Sequence, residues 1–288
     1  MTARAVVTIV LMSATLGRVA AQQPTFSSRR EAVSVDVLVT DRGRTVRGLK
    51  AADFELLDSG VAQQVDLVDF GNLPLSVMLA LDGSASVTAG ELQHLRDAGR
   101  ALLAGLRPDD DASLLTFADR VTLHRAPTTD VHSVQSALDA LTPTPASSTG
   151  GTALVDATYA AIALAGADTS RKLLITFTDG LDTSSWLIAD RVLEAARRSN
   201  VVTYAISTAK LPGGSFLRDL SDATGGETIE IASSGDLRAT FVRILEEFRG
   251  RYLLSYSPAN VPKPGWHPLA VRVKGRRLDI RARAGYVK

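Results

Sequence analysis

Three short segments of the chain concentrate oxygen-bearing side chains at turn-like positions. The first is Asp82-Gly83-Ser84-Ala85-Ser86, a D-x-S-x-S run that closes the near-continuous apolar stretch Leu75 to Leu81. The second is Gly150-Gly151-Thr152, and the third is Thr178-Asp179-Gly180, which ends the run LLITFTDG. Hydroxyls and carboxylates are hard oxygen ligands, so Asp82, Ser84, Ser86, Thr152 and Asp179 suit magnesium, calcium or manganese rather than zinc or copper. Each loop taken alone has a plainer reading, a helix N-cap within a turn of small polar residues. The two readings part on whether the three loops meet.

Other chemistries find little support. The 288 residues include no cysteine, which removes disulfides, thiolate zinc sites, iron–sulfur clusters and cysteine nucleophiles. The four histidines, His94, His124, His132 and His267, are scattered, and no HExxH, P-loop or G-x-S-x-G pattern occurs. A phosphotransferase using Asp82 as nucleophile wants a second carboxylate two residues later, where this chain has Ser84. No catalytic residue is therefore assigned, and the expectation is a non-enzymatic protein. With 32 basic and 31 acidic residues there is no global field to attract nucleic acid.

The elements that must position the three loops follow from hydrophobic patterning. Apolar runs at 75–81, 112–117, 121–124, 172–178, 201–206 and 227–231 alternate with helical patterns at 89–106, 131–141, 152–165, 187–198, 214–223 and 236–249. That alternation predicts an α/β fold, a doubly wound, mostly parallel sheet with helices on both faces. Loops leaving the carboxyl ends of such strands share one edge, so the five oxygen side chains can converge there. Short β patterns lie on either side, at 33–39, 54–57 and 65–70 and again at 252–256, 269–273 and 278–283. The N-terminal segment 31–70 and the C-terminal segment 251–288 are expected to pair into a small β domain, with the α/β domain, 73–250, inserted between them.

In order and spacing, the DxSxS, Gly-Gly-Thr and T-D-G segments resemble the von Willebrand factor type A domain and its metal-ion-dependent adhesion site. The flanking Asp53-Phe54, Tyr252-Leu253-Leu254-Ser255-Tyr256-Ser257-Pro258 and Arg281-Ala282-Arg283-Ala284-Gly285-Tyr286 are similar to those of the bacterial exported VWFA-related family. The resemblance implies direct metal contact from Ser84, Ser86 and Thr152, with Asp82 and Asp179 acting largely through bound water. It implies Mg2+, or else Ca2+ or Mn2+, as the ion. Neutral direct ligands would leave the ion seeking one more anionic oxygen, which an Asp or Glu carboxylate of a protein partner supplies. Gly83, Gly151, Gly180, Asp182 and Trp186 flank the set. Asp182 either orders water around the ion or is a solvated loop acid, and Trp186 either rims the site or packs in the core.

Met1 to Ala21 carries Arg4, an apolar run and the ending Val19-Ala20-Ala21, the layout of a secretory signal. Its removal takes away Arg4 and Arg18 and no acid, shifting the formal charge from +1 to −1. The expectation is an exported protein, periplasmic or secreted, with no later membrane span. Asp109-Asp110-Asp111 reads as a solvated turn, Trp266 as core, and the basic tail through Arg281, Arg283 and Lys288 as the solvent face of a hairpin.

Overall fold

A computed structural model describes residues 32–145, 150–166, 170–208, 215–261 and 264–287. The Met1 to Ala21 segment and Lys288 lie outside them. The first β stretch comprises β1 (Val33–Asp41), β2 (Arg44–Thr45), β3 (Phe54–Asp58), β4 (Val61–Gln63) and β5 (Leu67–Phe70). Then come β6 (Leu75–Asp82), α1 (Ala89–Leu103), β7 (Asp111–Phe117), β8 (Val121–Thr128), α2 (Val131–Asp139), α3 (Leu154–Leu164), β9 (Arg171–Thr178) and α4 (Ala189–Arg198). The chain continues through β10 (Val201–Ser207), α5 (Phe216–Thr224), β11 (Glu227–Glu230) and α6 (Leu237–Arg249). It ends in β12 (Tyr252–Tyr256), β13 (Trp266–Val273), β14 (Asp279–Arg281) and β15 (Gly285–Val287).

The apolar runs become the middle of a six-stranded sheet, ordered β11-β10-β9-β6-β7-β8. All its pairings are parallel except β7 with β8. Every residue of β6 and β9 is buried, as a strand covered on both faces must be. The two-residue period of the strand divides β6 between two cores. Leu75, Val77, Leu79 and Leu81 join the cluster that α1, α2 and α6 cover, while Met78 and Ala80 face Leu154, Ala157 and Ala161 of α3. This is the doubly wound arrangement that the alternating pattern implies. The edge strand β8 runs on to Thr128 through Pro127, a residue that a sheet tolerates at its edge.

The remaining strands form two antiparallel sheets. One is ordered β14-β1-β12-β5, with β2 on β1, and the other β15-β13-β3-β4. Each mixes strands from both ends of the chain: β1 pairs with β12 and β14, and β3 with β13. Val35, Val37, Val39, Phe54, Leu56, Tyr252, Leu254 and Tyr256 fill the core between them. The described residues all fall in one compact unit.

A polar joint ties the sheets to the α/β part where α6 runs into β12. Arg251, fully buried, donates from Nη2 to Tyr204 Oη at 2.9 Å, and the Tyr204 hydroxyl donates to Glu247. Burial pushes the Tyr204 phenol up to about 12, so it keeps its proton and remains a donor. Arg281 of β14 bonds Glu227 at 2.8 Å and Glu247 at 3.0 Å.

Three readings from the sequence are corrected: Asp110 and Arg283, read as solvent-facing, are buried, and Trp266, read as core, is not. Asp110 is 1% exposed: it accepts from the amides of Leu75 and Arg107 and pairs with Arg249 of α6. Trp266 is half-exposed, with the Arg197 guanidinium 5.5 Å above its ring. Arg283 is buried rather than solvent-facing. Among the described residues no helix is long and apolar enough to cross a membrane.

Candidate metal centre

Asp82 is the last residue of β6, and the loop it starts is fixed on both sides. Gly83 donates its amide to Phe117 O at 2.8 Å and accepts from Thr144 Oγ1 at 2.6 Å. The Asp82 carboxylate turns back on its own loop, accepting from the Ser84 amide at 2.9 Å, while its other oxygen accepts from Thr178 Oγ1 at 2.6 Å. The loop then enters α1 through a capping box, with Thr88 Oγ1 accepting from the Glu91 amide and Glu91 accepting from the Thr88 amide.

These constraints align a row of oxygens. Ser84 Oγ lies 2.9 Å from Ser86 Oγ, which donates to Asp179 Oδ1 at 3.0 Å. Asp82 lies beneath the row, 1% exposed. Burial, its largest influence, raises the Asp82 carboxyl above the ordinary aspartate range, and the nearby Asp179 charge adds to the rise, against lowering bonds from Ser84 and Thr178. Among the described residues neither Asp82 nor Asp179 has an ion-pair partner. Two acids without a counter-charge, next to two neutral hydroxyls, form a donor set that fits a hard divalent cation.

The Gly150-Gly151-Thr152 loop is tied through its backbone to the segment that follows Asp179 and to the end of β7. Thr152, 7% exposed, donates its amide to Thr183 Oγ1 at 2.8 Å and accepts at its carbonyl from the amides of Thr183 and Ser184. Ala153 N bonds Ala118 O at 2.6 Å, fastening the loop to the end of β7. A Cβ on Gly151 would lie 2.7 Å from Ser184 Cβ and 2.8 Å from Thr183 Oγ1, so the loops approach to a distance that only glycine permits. Gly180, by contrast, has open space around it.

Asp182 is exposed, yet its carboxylate accepts from the Val155 amide at 3.1 Å and from Ser185 Oγ, so it serves the amino end of α3. Trp186 is 93% exposed, next to the exposed Leu187 and Ile188, and the Trp186 and Leu187 amides are held by the Asp156 carboxylate at 3.0 and 2.9 Å. The structure thus places Trp186 outside the core. Thr178, Thr144, Thr183 and Asp156 all position these loops and were missed in the sequence. Thr178 alone had a signal there, as the residue preceding Asp179 in the T-D-G run.

Residues 77–181 match the family model of the von Willebrand factor type A domain. Over those residues the chain is similar to von Willebrand factor type A domains. Among solved structures, a von Willebrand factor type A protein from Catenulispora acidiphila superimposes with a TM-score of 0.56 at 12% identity, over 82% of this chain and 73% of that one. Proximal thread matrix protein 1 of the mussel byssus gives 0.54 at 17% identity, over 67% of this chain and 51% of its own. The form of that mussel protein described as having a zinc-occupied MIDAS motif gives 0.55 at 18% identity, over 65% and 48%. At these identities the likeness is one of fold. Within the matched residues 77–181, all three oxygen-bearing loops lie at the carboxyl edge of the sheet, after β6, before α3 and after β9.

Proposed function

We propose that this chain is an exported, non-enzymatic protein-interaction module that captures an Asp or Glu carboxylate of a partner at a divalent metal. Asp82, Ser84, Ser86, Thr152 and Asp179 hold the ion, and Mg2+ is the assignment. When bound, the metal supplies an electrophilic position for a carboxylate oxygen. The protein's part is to keep Ser84 and Ser86 oriented and to hold the charges of Asp82 and Asp179 nearby. The observation that carries the reading is the Ser84–Ser86–Asp179 row above a buried Asp82, with neither acid paired to a cation among the described residues.

A metal that merely braces the loops is disfavoured, because the protein's own bonds already brace them, from Thr144 to Gly83, Ala153 to Ala118 and Thr183 to Thr152. Trp186 and its exposed apolar neighbours would rim the capture site and meet apolar groups beside the partner's acid. Export rests on the Met1 to Ala21 pattern, and cell fractionation tests it. Calorimetric titration with Mg2+ tests the site. Binding to the unaltered chain, lost in the Ser84→Ala/Ser86→Ala double variant with the melting temperature in EDTA unchanged, is the expected result. Equal Mg2+ affinity in both would overturn the assignment.

A further inference from the structure

At the opposite end of the central sheet from the metal loops, where β9 and β10 begin, a cavity of about 400 Å³ opens between the α/β part and the sheet containing β1 and β12. One strand length of β9 separates the two places, about 25 Å for eight residues. The volume is within the range of small-ligand pockets. Leu73, Val201, Val202 and Leu253 supply apolar wall, and two arginines supply charge.

Arg171 keeps one guanidinium nitrogen without a partner, and Arg283 has only neutral hydrogen-bond partners. Arg171, 1% exposed in its side chain, donates from Nε to Asp36 Oδ1 at 2.8 Å and from Nη2 to Asp36 and to Phe248 O. Its Nη1 is buried and has no partner. Arg283, 8% exposed, spends its donors on neutral oxygens: Gly285 O at 2.8 Å, Asn200 Oδ1 at 3.1 Å and Arg197 O. Burial draws its guanidinium down to about 10, which still leaves it charged at neutral pH. Among the described residues the cavity wall therefore carries two buried cations and one carboxylate, Asp36. A second cavity of about 260 Å³ shares Ser170, Asn200 and Val201 with the first. Buried charges are normally paired, and a surplus buried cation is costly until an anion joins it.

We propose that this cavity binds a small organic monocarboxylate, its carboxylate between Arg283 and Arg171 Nη1 and its apolar body on Leu73, Val201, Val202 and Leu253. One negative charge balances the surplus, and a dianion would repel Asp36. The site is separate from the metal centre in place and in chemistry, needing no metal. A bound molecule touches β1, β9, β10 and β12 together, so it bridges the α/β part and the antiparallel sheets.

The test uses the full chain in EDTA, which removes carboxylate capture by metal, with hexanoate as probe and hexanol and hexyl phosphate as comparisons. Hexanoate is expected to give saturable amide shifts at Asn200, Val201 and Leu253 and to raise the melting temperature. Hexanol and hexyl phosphate should each bind about tenfold more weakly, and Arg283→Gln should weaken hexanoate binding by about tenfold. If Arg283→Gln does not fold, Leu253→Trp, which occludes the cavity and leaves both arginines intact, should abolish the shifts. Hexanol binding as well as hexanoate, hexyl phosphate binding better, unaltered binding by Leu253→Trp, or shifts confined to the metal loops would each overturn the proposal, as would no saturable response at millimolar hexanoate.

Discussion

Replacing Asp58 with Asn removes one charge from the interior of the antiparallel sheets while preserving the shape of the side chain. Asp58, fully buried at the end of β3, receives four donors. Tyr256 Oη and Tyr286 Oη reach Oδ2 at 2.8 and 2.9 Å, and Ser59 Oγ and His267 Nδ1 reach Oδ1 at 3.0 and 3.1 Å. Because a carboxylate only accepts, the His267 proton belongs on Nδ1. Burial keeps both tyrosines protonated, Tyr286 being pushed up to about 12 and Tyr256 further. The network thus joins β3, β12, β13 and β15 across both sheets. An Asn carbonyl oxygen can keep two of the donors at neutral strength, losing about 1 kcal/mol each, and its amide turns donors against the other two, at about 1–3 kcal/mol each. No longer burying a charge offsets part of this, so the expected net loss is about 3 kcal/mol at neutral pH, a large share of an ordinary stability of about 5–15 kcal/mol.

The pH dependence has a definite sign. Burial by itself raises the Asp58 carboxyl, but the bonds from Tyr256, Tyr286, His267 and Ser59 together outweigh it and hold it below the usual aspartate value. A carboxyl depressed in the folded state contributes stability that is complete above the unfolded value of about 3.9 and is lost as pH falls through the folded one. Urea denaturation of both proteins from neutral to acidic pH should show a constant gap down to about pH 5 and a shrinking one below about pH 4. A gap under about 0.5 kcal/mol at pH 7, or one that persists undiminished in acid, would refute the reasoning.

Asp179→Ala should fold normally in EDTA, since it gives up the hydrogen bond from Ser86 at an exposed site, and should lose the Mg2+-dependent stabilisation, about 2.7 kcal/mol at one hundred times Kd, that calorimetry is expected to show for the unaltered chain. Gly226→Ala places a Cβ 1.7 Å from Thr203 O and 2.6 Å from Thr203 C, backbone atoms of β10, so a loss of about 4 kcal/mol or more, or insoluble protein, is expected in urea and expression assays. Thr88→Ala removes the cap that carries the DxSxS loop into α1 and should cost about 1 kcal/mol in urea denaturation, with Thr88→Ser largely neutral. Trp186→Ala, at a 93% exposed position, should change the urea midpoint by less than about 0.5 kcal/mol and weaken partner binding in a pull-down with Mg2+ present.

Local pattern was enough for the strand-and-helix order, because the runs that became β6 and β9 carry apolar residues on both faces, Val77 to Leu81 and Leu173 to Ile175, and have no stable place outside a covered sheet. It also picked out the loops in which Ser84, Ser86 and Asp179 meet, since loops at one edge of a parallel sheet converge whatever their separation in sequence. Tertiary structure alone decided the fate of individual charges. Asp110 lies in a run of acids that any local rule assigns to solvent, and it is buried because Arg249, 139 residues away, reaches it. Arg283 alternates with apolar residues as an exposed strand residue would, and it is buried because the chain folds it against Asn200 and Arg197. Asp58 is a turn residue in the sequence, and it becomes the centre of the antiparallel sheets through Tyr256, His267 and Tyr286, about two hundred positions downstream. The physical reason is common to all three. An apolar residue gains by burial against almost any apolar neighbour, so its place shows in the average pattern, whereas a charged residue can be buried only where particular partners arrive, and those partners are set by the fold as a whole.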